Sequence, residues 1–348
     1  MKLPTMVAVV MFVGVTLYAL FAGADFGGGF WDLLAGDAER GAAPRELIEH
    51  SVGPVWEANH VWLIFVLVVL WTGFPRAFAP IMSTLAVPLT LAAVGIILRG
   101  SAFAFRKASI ALPRRRAFGA VFALSSVLTP FFLGTVVGGI ASGRVPATGT
   151  GSLTKSWLNP TSVLGGVLAV LVCAFLAAVY LTADADRQGF ASLTAYFRLR
   201  ATLAGLVAGA VAAIGIAVLH ADASQLFAHL TGRALPVLAI SAAGGLGTLL
   251  LLRQGRFAVA RITAAIAVVA VIWGWAAGQY PYLIDGRLTI EQARGAHATL
   301  QALLAVVIAG LAVIGPALTW LLLLTRRGAL GEGHPNDLGF PETSLRNP

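Results

Sequence analysis

Polarity along this chain changes over tens of residues, not over twos or threes. Long stretches free of Asp, Glu, Lys and Arg alternate with short polar ones. Nine such stretches cover 3–24, 58–75, 77–98, 117–143, 156–183, 201–219, 234–252, 262–284 and 295–325, each of 18 residues or more. A helix needs about 20 mostly apolar residues to cross the hydrocarbon core, whereas a membrane strand needs about 10 residues of alternating polarity. No such alternation is present. The pattern predicts an all-α polytopic membrane protein of about nine transmembrane helices. Only Arg76 separates the second and third runs, and Pro75 beside it predicts a tight turn rather than one long helix. The segment 44–51 opens on Pro44, suited to a first helical turn, and predicts a short surface helix leading into the second span.

Lys2, an apolar core and Ala22-Gly23-Ala24 imitate a secretory signal with its cleavage site. The run is long for such a signal and one basic residue precedes it, so it reads as a span. No polar segment is long enough for a soluble domain. The reading is one transmembrane domain over 1–327 and a disordered cytoplasmic tail over 328–348, rich in Gly, Pro, Asn and Glu.

Charge supplies the orientation. Of the 24 Lys and Arg, 17 fall in the tail and in the loops after the first, third, fifth and seventh runs, and 7 on the other side. Cationic loops stay in the cytoplasm. The N-terminus is therefore expected outside and the C-terminus in the cytoplasm. The net charge of +9 is explained the same way, so no nucleic-acid partner is expected. The single cysteine, Cys173, rules out an internal disulfide or a cysteine-built cluster within this chain.

Ionisable residues in spans are costly and usually face an interior or a cavity. Asp25 closes the first run, followed by Phe26-Gly27-Gly28-Gly29. Glu57 opens the second, in Val55-Trp56-Glu57-Ala58-Asn59-His60. His60 lies three residues after Glu57, on the same helix face. Asn59, Glu57 and His60 thus make a candidate proton-carrying lining, with Asp25 a second candidate. Asp32, just beyond the run, reads as a solvated acid at the headgroups. No two histidines face each other at a depth that would hold a haem, and Met1, Met6, Met11 and Met82 do not complete a pair. No metal or cofactor site is expected in this chain. Phosphate loops, zinc motifs and nucleophile elbows are also missing from the sequence.

The second span reads Gly53-Pro54-Val55-Trp56-Glu57-Ala58-Asn59-His60-Val61-Trp62-Leu63-Ile64, then Trp71-Thr72-Gly73-Phe74-Pro75. This resembles the signature of subunit II of the cytochrome bd-type quinol oxidases. Arg99-Gly100-Ser101-Ala102-Phe103-Ala104-Phe105-Arg106, the stretch from Trp273-Gly274 to Tyr280-Pro281, and Leu288-Thr289-Ile290 agree in the family's order. The resemblance implies two four-helix bundles plus one peripheral helix. It also implies a haem-free chain in a prokaryotic cytoplasmic membrane, paired with a subunit I that carries two b-type haems, one d-type haem and the quinol site. It leaves room for a small accessory subunit and for a structural quinone or lipid. The complex would oxidise quinol and reduce dioxygen to water. Asp25 and Glu57 match acids on the family's proton path, Trp62 matches a tryptophan beside its oxygen route, and Arg99 and Arg106 are interior basic positions. Two positions depart: Gly29 stands where the family has a second acid, for which Asp32 is the nearest stand-in, and Ala104 where many relatives carry one. The competing reading is a secondary transporter using intramembrane carboxylates.

Overall fold

The computed structural model describes residues 2–37, 39–52, 56–108 and 112–326; the side chains of 52, 56–58, 107, 108, 112, 113, 115, 315, 318, 319 and 321–326 lie outside that description. The expected tail over 328–348 also lies outside the described residues. Residues 1–296 form one compact unit, and α13 (His297–Arg326) falls in a second unit, described by itself as a 30-residue apolar helix.

The first unit begins with α1 (Leu3–Leu33), α2 (Ala42–Val52), α3 (Trp56–Gly73), α4 (Pro75–Thr84), α5 (Ala86–Ala108) and α6 (Leu112–Ala141). It continues with α7 (Pro160–Arg187), α8 (Ala191–Asp222), α9 (Ser224–Thr231), α10 (Leu235–Arg253) and α11 (Phe257–Gln279). A small antiparallel hairpin, β1 (Tyr282–Ile284) with β2 (Leu288–Thr289), and α12 (Ile290–Ala293) complete it. Eight described helices are long and apolar enough to cross a membrane, and 59–73 of α3 is a shorter apolar helix. With α3 extended to Trp56 this accounts for all nine apolar runs.

Packing sorts the long helices of this unit into two sets. In one, α1 packs on α3 and α6, and α6 on α5; in the other, α7 packs on α8, α8 on α10, and α10 on α11. The seam is α1 and α6 against α7, with α11 also touching α1 and α7. Only 11% of the apolar window of α8, and the same share of α10, is buried. Lipid or another chain must therefore cover these helices, as the hydrophobic effect does not tolerate such faces in water.

The structure corrects several boundaries. The run 77–98 is not one helix: α4 ends at Thr84, Leu85 leaves helical geometry (φ −101°, ψ 23°), and α5 begins at Ala86. The cause is Pro88, which has no N–H for the Thr84 carbonyl and crowds it. The Thr84 hydroxyl is instead used from outside, accepting the Gly151 N–H at 2.9 Å. The run 156–183 becomes helical only at Pro160, where Asn159 caps the helix by accepting the Ser162 N–H at 2.9 Å. The run 262–284 stops at Gln279, its last residues forming β1. The turn at Pro75 and the short helix around Pro44 are found as expected, the latter beginning two residues earlier.

Candidate functional site

Helix α1 holds 31 residues, about 46 Å at 1.5 Å per residue, so it outreaches a hydrocarbon core of about 30 Å. Asp25 lies near its far end, yet the carboxylate is not solvated. It meets Arg99 of α5 in a bidentate pair: Nη1 donates to Oδ2 at 2.7 Å and Nη2 to Oδ1 at 2.6 Å. Nη2 also reaches the Asp25 carbonyl at 3.1 Å, and Nε donates to the Ser126 hydroxyl at 2.8 Å. The two side chains are 1% and 2% exposed, so neither charge has water to fall back on. The guanidinium carbon lies 5.0 Å from the Phe26 ring centre and 4.6 Å from that of Phe122, adding cation–π attraction in a dry setting. A charge pair this deep is tolerated because nearly every donor and acceptor is used.

The glycines after Asp25 explain how three helices come so close. A side-chain carbon on Gly27 would lie 1.9 Å from the Cys173 carbonyl oxygen, and one on Gly29 would lie 2.1 Å from the Ser126 hydroxyl. Gly27 admits α7 and Gly29 admits α6. The Trp31 indole then donates to the Ala174 carbonyl at 2.8 Å, locking the same seam. The position where an acid was missed is thus occupied by the hydroxyl that serves Arg99.

Asp32 corrects its reading as a solvated acid. It is 6% exposed, with Arg45 Nε at 2.8 Å on one oxygen and Arg106 Nη1 at 2.7 Å on the other. It ties α2 and α5 to the end of α1. Asp32 and Arg106 repeat the Asp25–Arg99 pairing with the same sequence separation of 74. Acids seven apart on one helix and arginines seven apart on another share a face in each case. That spacing was visible in the sequence, and it was the signal for two rungs of one ladder.

Beside the first rung lies a group of buried polar atoms. Asn59 is 0% exposed, and neither its amide nitrogen nor its oxygen has a partner among the described residues. The same holds for His60 Nδ1 and the Tyr18 hydroxyl. The His60 ring centre is 6.5 Å from that of Phe26, which places it one residue along from Asp25. Glu57 belongs to the first turn of α3, and its side chain lies outside the described residues. Trp62 is half-buried, edge-on to Phe65 at 6.2 Å. The predicted residues therefore divide. Asp25 and Arg99 meet, His60 faces Phe26 beside them, Asn59 is buried next to His60 on α3, Arg106 serves Asp32, and Trp62 stands further along α3.

This is an integral membrane protein built of long helices around a dry ion pair. The comparisons with known proteins agree with that class and narrow it. A family model described as cytochrome bd terminal oxidase subunit II matches residues 3–325. The chain belongs to that family. It is 29% identical over 167 residues to a protein of Bacillus subtilis strain 168 named cytochrome bd ubiquinol oxidase subunit 2, covering 47% of each chain. It is 26% identical over 182 residues to the cytochrome bd-I ubiquinol oxidase subunit 2 of Escherichia coli K12, covering 49% of this chain and 46% of that one. These alignments span about half the length of the curated relatives. In fold, the likeness extends further. A chain in the structure of the bd oxidase from Geobacillus thermodenitrificans matches with a TM-score of 0.74 at 26% identity, over 93% of this chain and 99% of that one.

Proposed function

We propose that the chain is the haem-free subunit II of a bacterial bd-type quinol oxidase, working in the cytoplasmic membrane beside a haem-bearing subunit I. The observation that carries this reading is the family match over nearly the whole chain, 3–325. The secondary-transporter reading is not favoured: the family match points elsewhere, and the buried charges form a closed pair rather than an open binding site.

The residues do not suit a haem of this chain's own. Of the described histidines, His60 lies in the apolar helix 59–73, while His220 and His297 stand at the ends of α8 and α13. Phe26 faces His60 where α1 packs on α3. Met11 lies fifteen positions from Phe26, about 22 Å along the helix, too far to share an iron with His60. In the proposed complex, haems of the partner supply electron transfer and oxygen reduction. This chain supplies structure and a path for protons.

Glu57, with Asn59 and His60 a turn further in, is the proposed entry for protons from the cytoplasm. Asn59 and His60 present unpartnered polar atoms in a buried place, which bound water would complete. Asp25 has a different role in this proposal. Both its oxygens are held by Arg99, so it fixes a positive charge beside the path rather than shuttling the proton. Trp62 lies along the apolar part of α3, suited to dioxygen rather than protons.

The test is purification from the native membrane in mild detergent, followed by a reduced-minus-oxidised visible spectrum and oxygen consumption with quinol. A haem spectrum travelling with a second large hydrophobic chain is expected. Glu57→Gln is expected to slow oxygen consumption about a hundredfold while leaving the spectrum intact. A colourless, stable chain purified alone would overturn the oxidase reading; undiminished turnover in the variant would overturn the proton role.

A further inference from the structure

Two loops and the end of α8, far apart in sequence, converge on a cleft at the end of the bundle opposite Asp32. Its volume is about 430 Å³, and Arg144, Lys155, Arg287 and Asp222 line it together with serines 142, 152 and 156. Loop charge assigns this end to the outer side, which holds only 7 of the 24 cations. Three of those seven meet here, where dispersal would have been the cheaper arrangement on electrostatic grounds.

The one acid does not neutralise the cleft. Asp222 accepts from Arg144 at 2.6 and 3.0 Å and from the Thr161 hydroxyl and N–H at 2.6 and 3.1 Å, so both its oxygens are engaged. It balances Arg144 and holds it rigid. Arg287 is fastened only by its Nε, 3.3 Å from the Gly143 carbonyl. Its two Nη groups and the Lys155 ammonium have no partner among the described residues. Left-handed turns at Gly143 (φ 67°) and Gly286 (φ 62°) bring the cationic strands of chain together, a backbone form that costs glycine nothing. Next to the cleft, Leu153 and Leu158 are 50% and 56% exposed, an apolar rim beside a polar hollow.

We propose that this cleft binds a phosphate-class oxyanion, either the phosphate of a lipid headgroup or free phosphate. Several free donors around an open hollow suit a tetrahedral anion with oxygens on every side. The volume leaves space for a substituent on the phosphate. The inference does not rest on the oxidase reading.

The test uses the full chain with whatever partners co-purify, in phosphate-free buffer. Inorganic phosphate binding is measured by titration. Retention of phosphatidylglycerol against phosphatidylcholine is measured by mass spectrometry from nanodiscs holding both. The comparison is with Lys155→Gln/Arg287→Gln, and with Arg253→Gln at the opposite end as control. Both altered side chains are exposed, so an unchanged unfolding midpoint checks the fold. The double variant is expected to weaken binding about tenfold or more for each cation removed, and the control to change nothing. Loss of phosphatidylglycerol enrichment alone identifies a lipid site; loss of phosphate binding identifies a free-anion site. Equal binding in the double variant and the wild type, or no binding of either probe by the wild type, overturns the proposal.

Discussion

The Ser126 hydroxyl fills the space that a side chain on Gly29 would need: a carbon placed there would lie 2.1 Å from the Ser126 oxygen. Gly29→Ala must displace Ser126 and so take away the partner of Arg99 Nε. The expected cost is about 1–3 kcal/mol of overpacking, read as a lower unfolding midpoint in detergent. Gly245→Ala, where nothing lies within 4 Å of the added carbon, is expected to leave the midpoint unchanged or raise it. Equal effects of the two substitutions would show that the contact does not limit packing.

Breaking the Asp25–Arg99 pair from one side should be worse than removing it. Arg99→Gln leaves a carboxylate 1% exposed without its cation, an expected loss of about 3–5 kcal/mol, seen as poor yield and early unfolding. The double variant Asp25→Leu/Arg99→Met removes both charges at similar bulk and should recover much of that loss. If the double variant is no more stable than the single one, the pair is not a self-contained unit.

Asn59 separates stability from function. Its side-chain amide is buried without a partner among the described residues, so Asn59→Leu should leave stability within about 1 kcal/mol of the wild type. If the amide orders water on a proton path, oxygen consumption should fall about tenfold or more. Full turnover with Leu at this position would remove Asn59 from the path.

Asp285, in the β1–β2 turn, is 4% exposed, and its Oδ1 has no partner among the described residues. Burial raises its carboxyl above the usual 3.8, while His229 and Arg233 nearby pull it back. The folded state therefore holds this proton more tightly than the unfolded state does. The stability it contributes is fully present below 3.8 and is lost as pH rises through the higher folded value. Asp285→Asn keeps the shape and removes the titration. Unfolding midpoints across the acid range should decline with pH more steeply in the wild type than in the variant; parallel curves would contradict the assignment.

Much of the fold was legible because burial in a membrane writes itself as long uncharged runs, and α1, α6 and α8 follow those runs to within a few residues at one end or the other. What was not legible depends on contacts across long separations. Asp25 and Asp32 could be flagged as misplaced acids, but nothing local to them names Arg99 and Arg106 as partners. The repeated spacing of seven was the only hint. The break at Leu85 is local, yet it rests on the conflict between Pro88 and the Thr84 carbonyl, which hydropathy does not record. The cleft of Arg144, Lys155 and Arg287 combines residues from loops that look like ordinary polar connectors. The span 2 motif did reveal the family, because its Trp, acid, Asn and second Trp are chemically unlike the run around them.

The order of synthesis gives the Asp25–Arg99 pair a further meaning. Arg99 lies 74 residues after Asp25. When the first helix leaves the ribosome and enters the bilayer, its acid has no counter-charge, because the helix that carries it is still unmade. A lone charge within the core costs about 2.5–3.5 kcal/mol at mid-depth and less toward the edge. Asp25, near the end of a helix longer than the membrane is thick, can wait among the headgroups. Its buried depth depends on Arg99 as counter-charge. The final seat of the first helix thus depends on a residue that the ribosome adds only after the third apolar run.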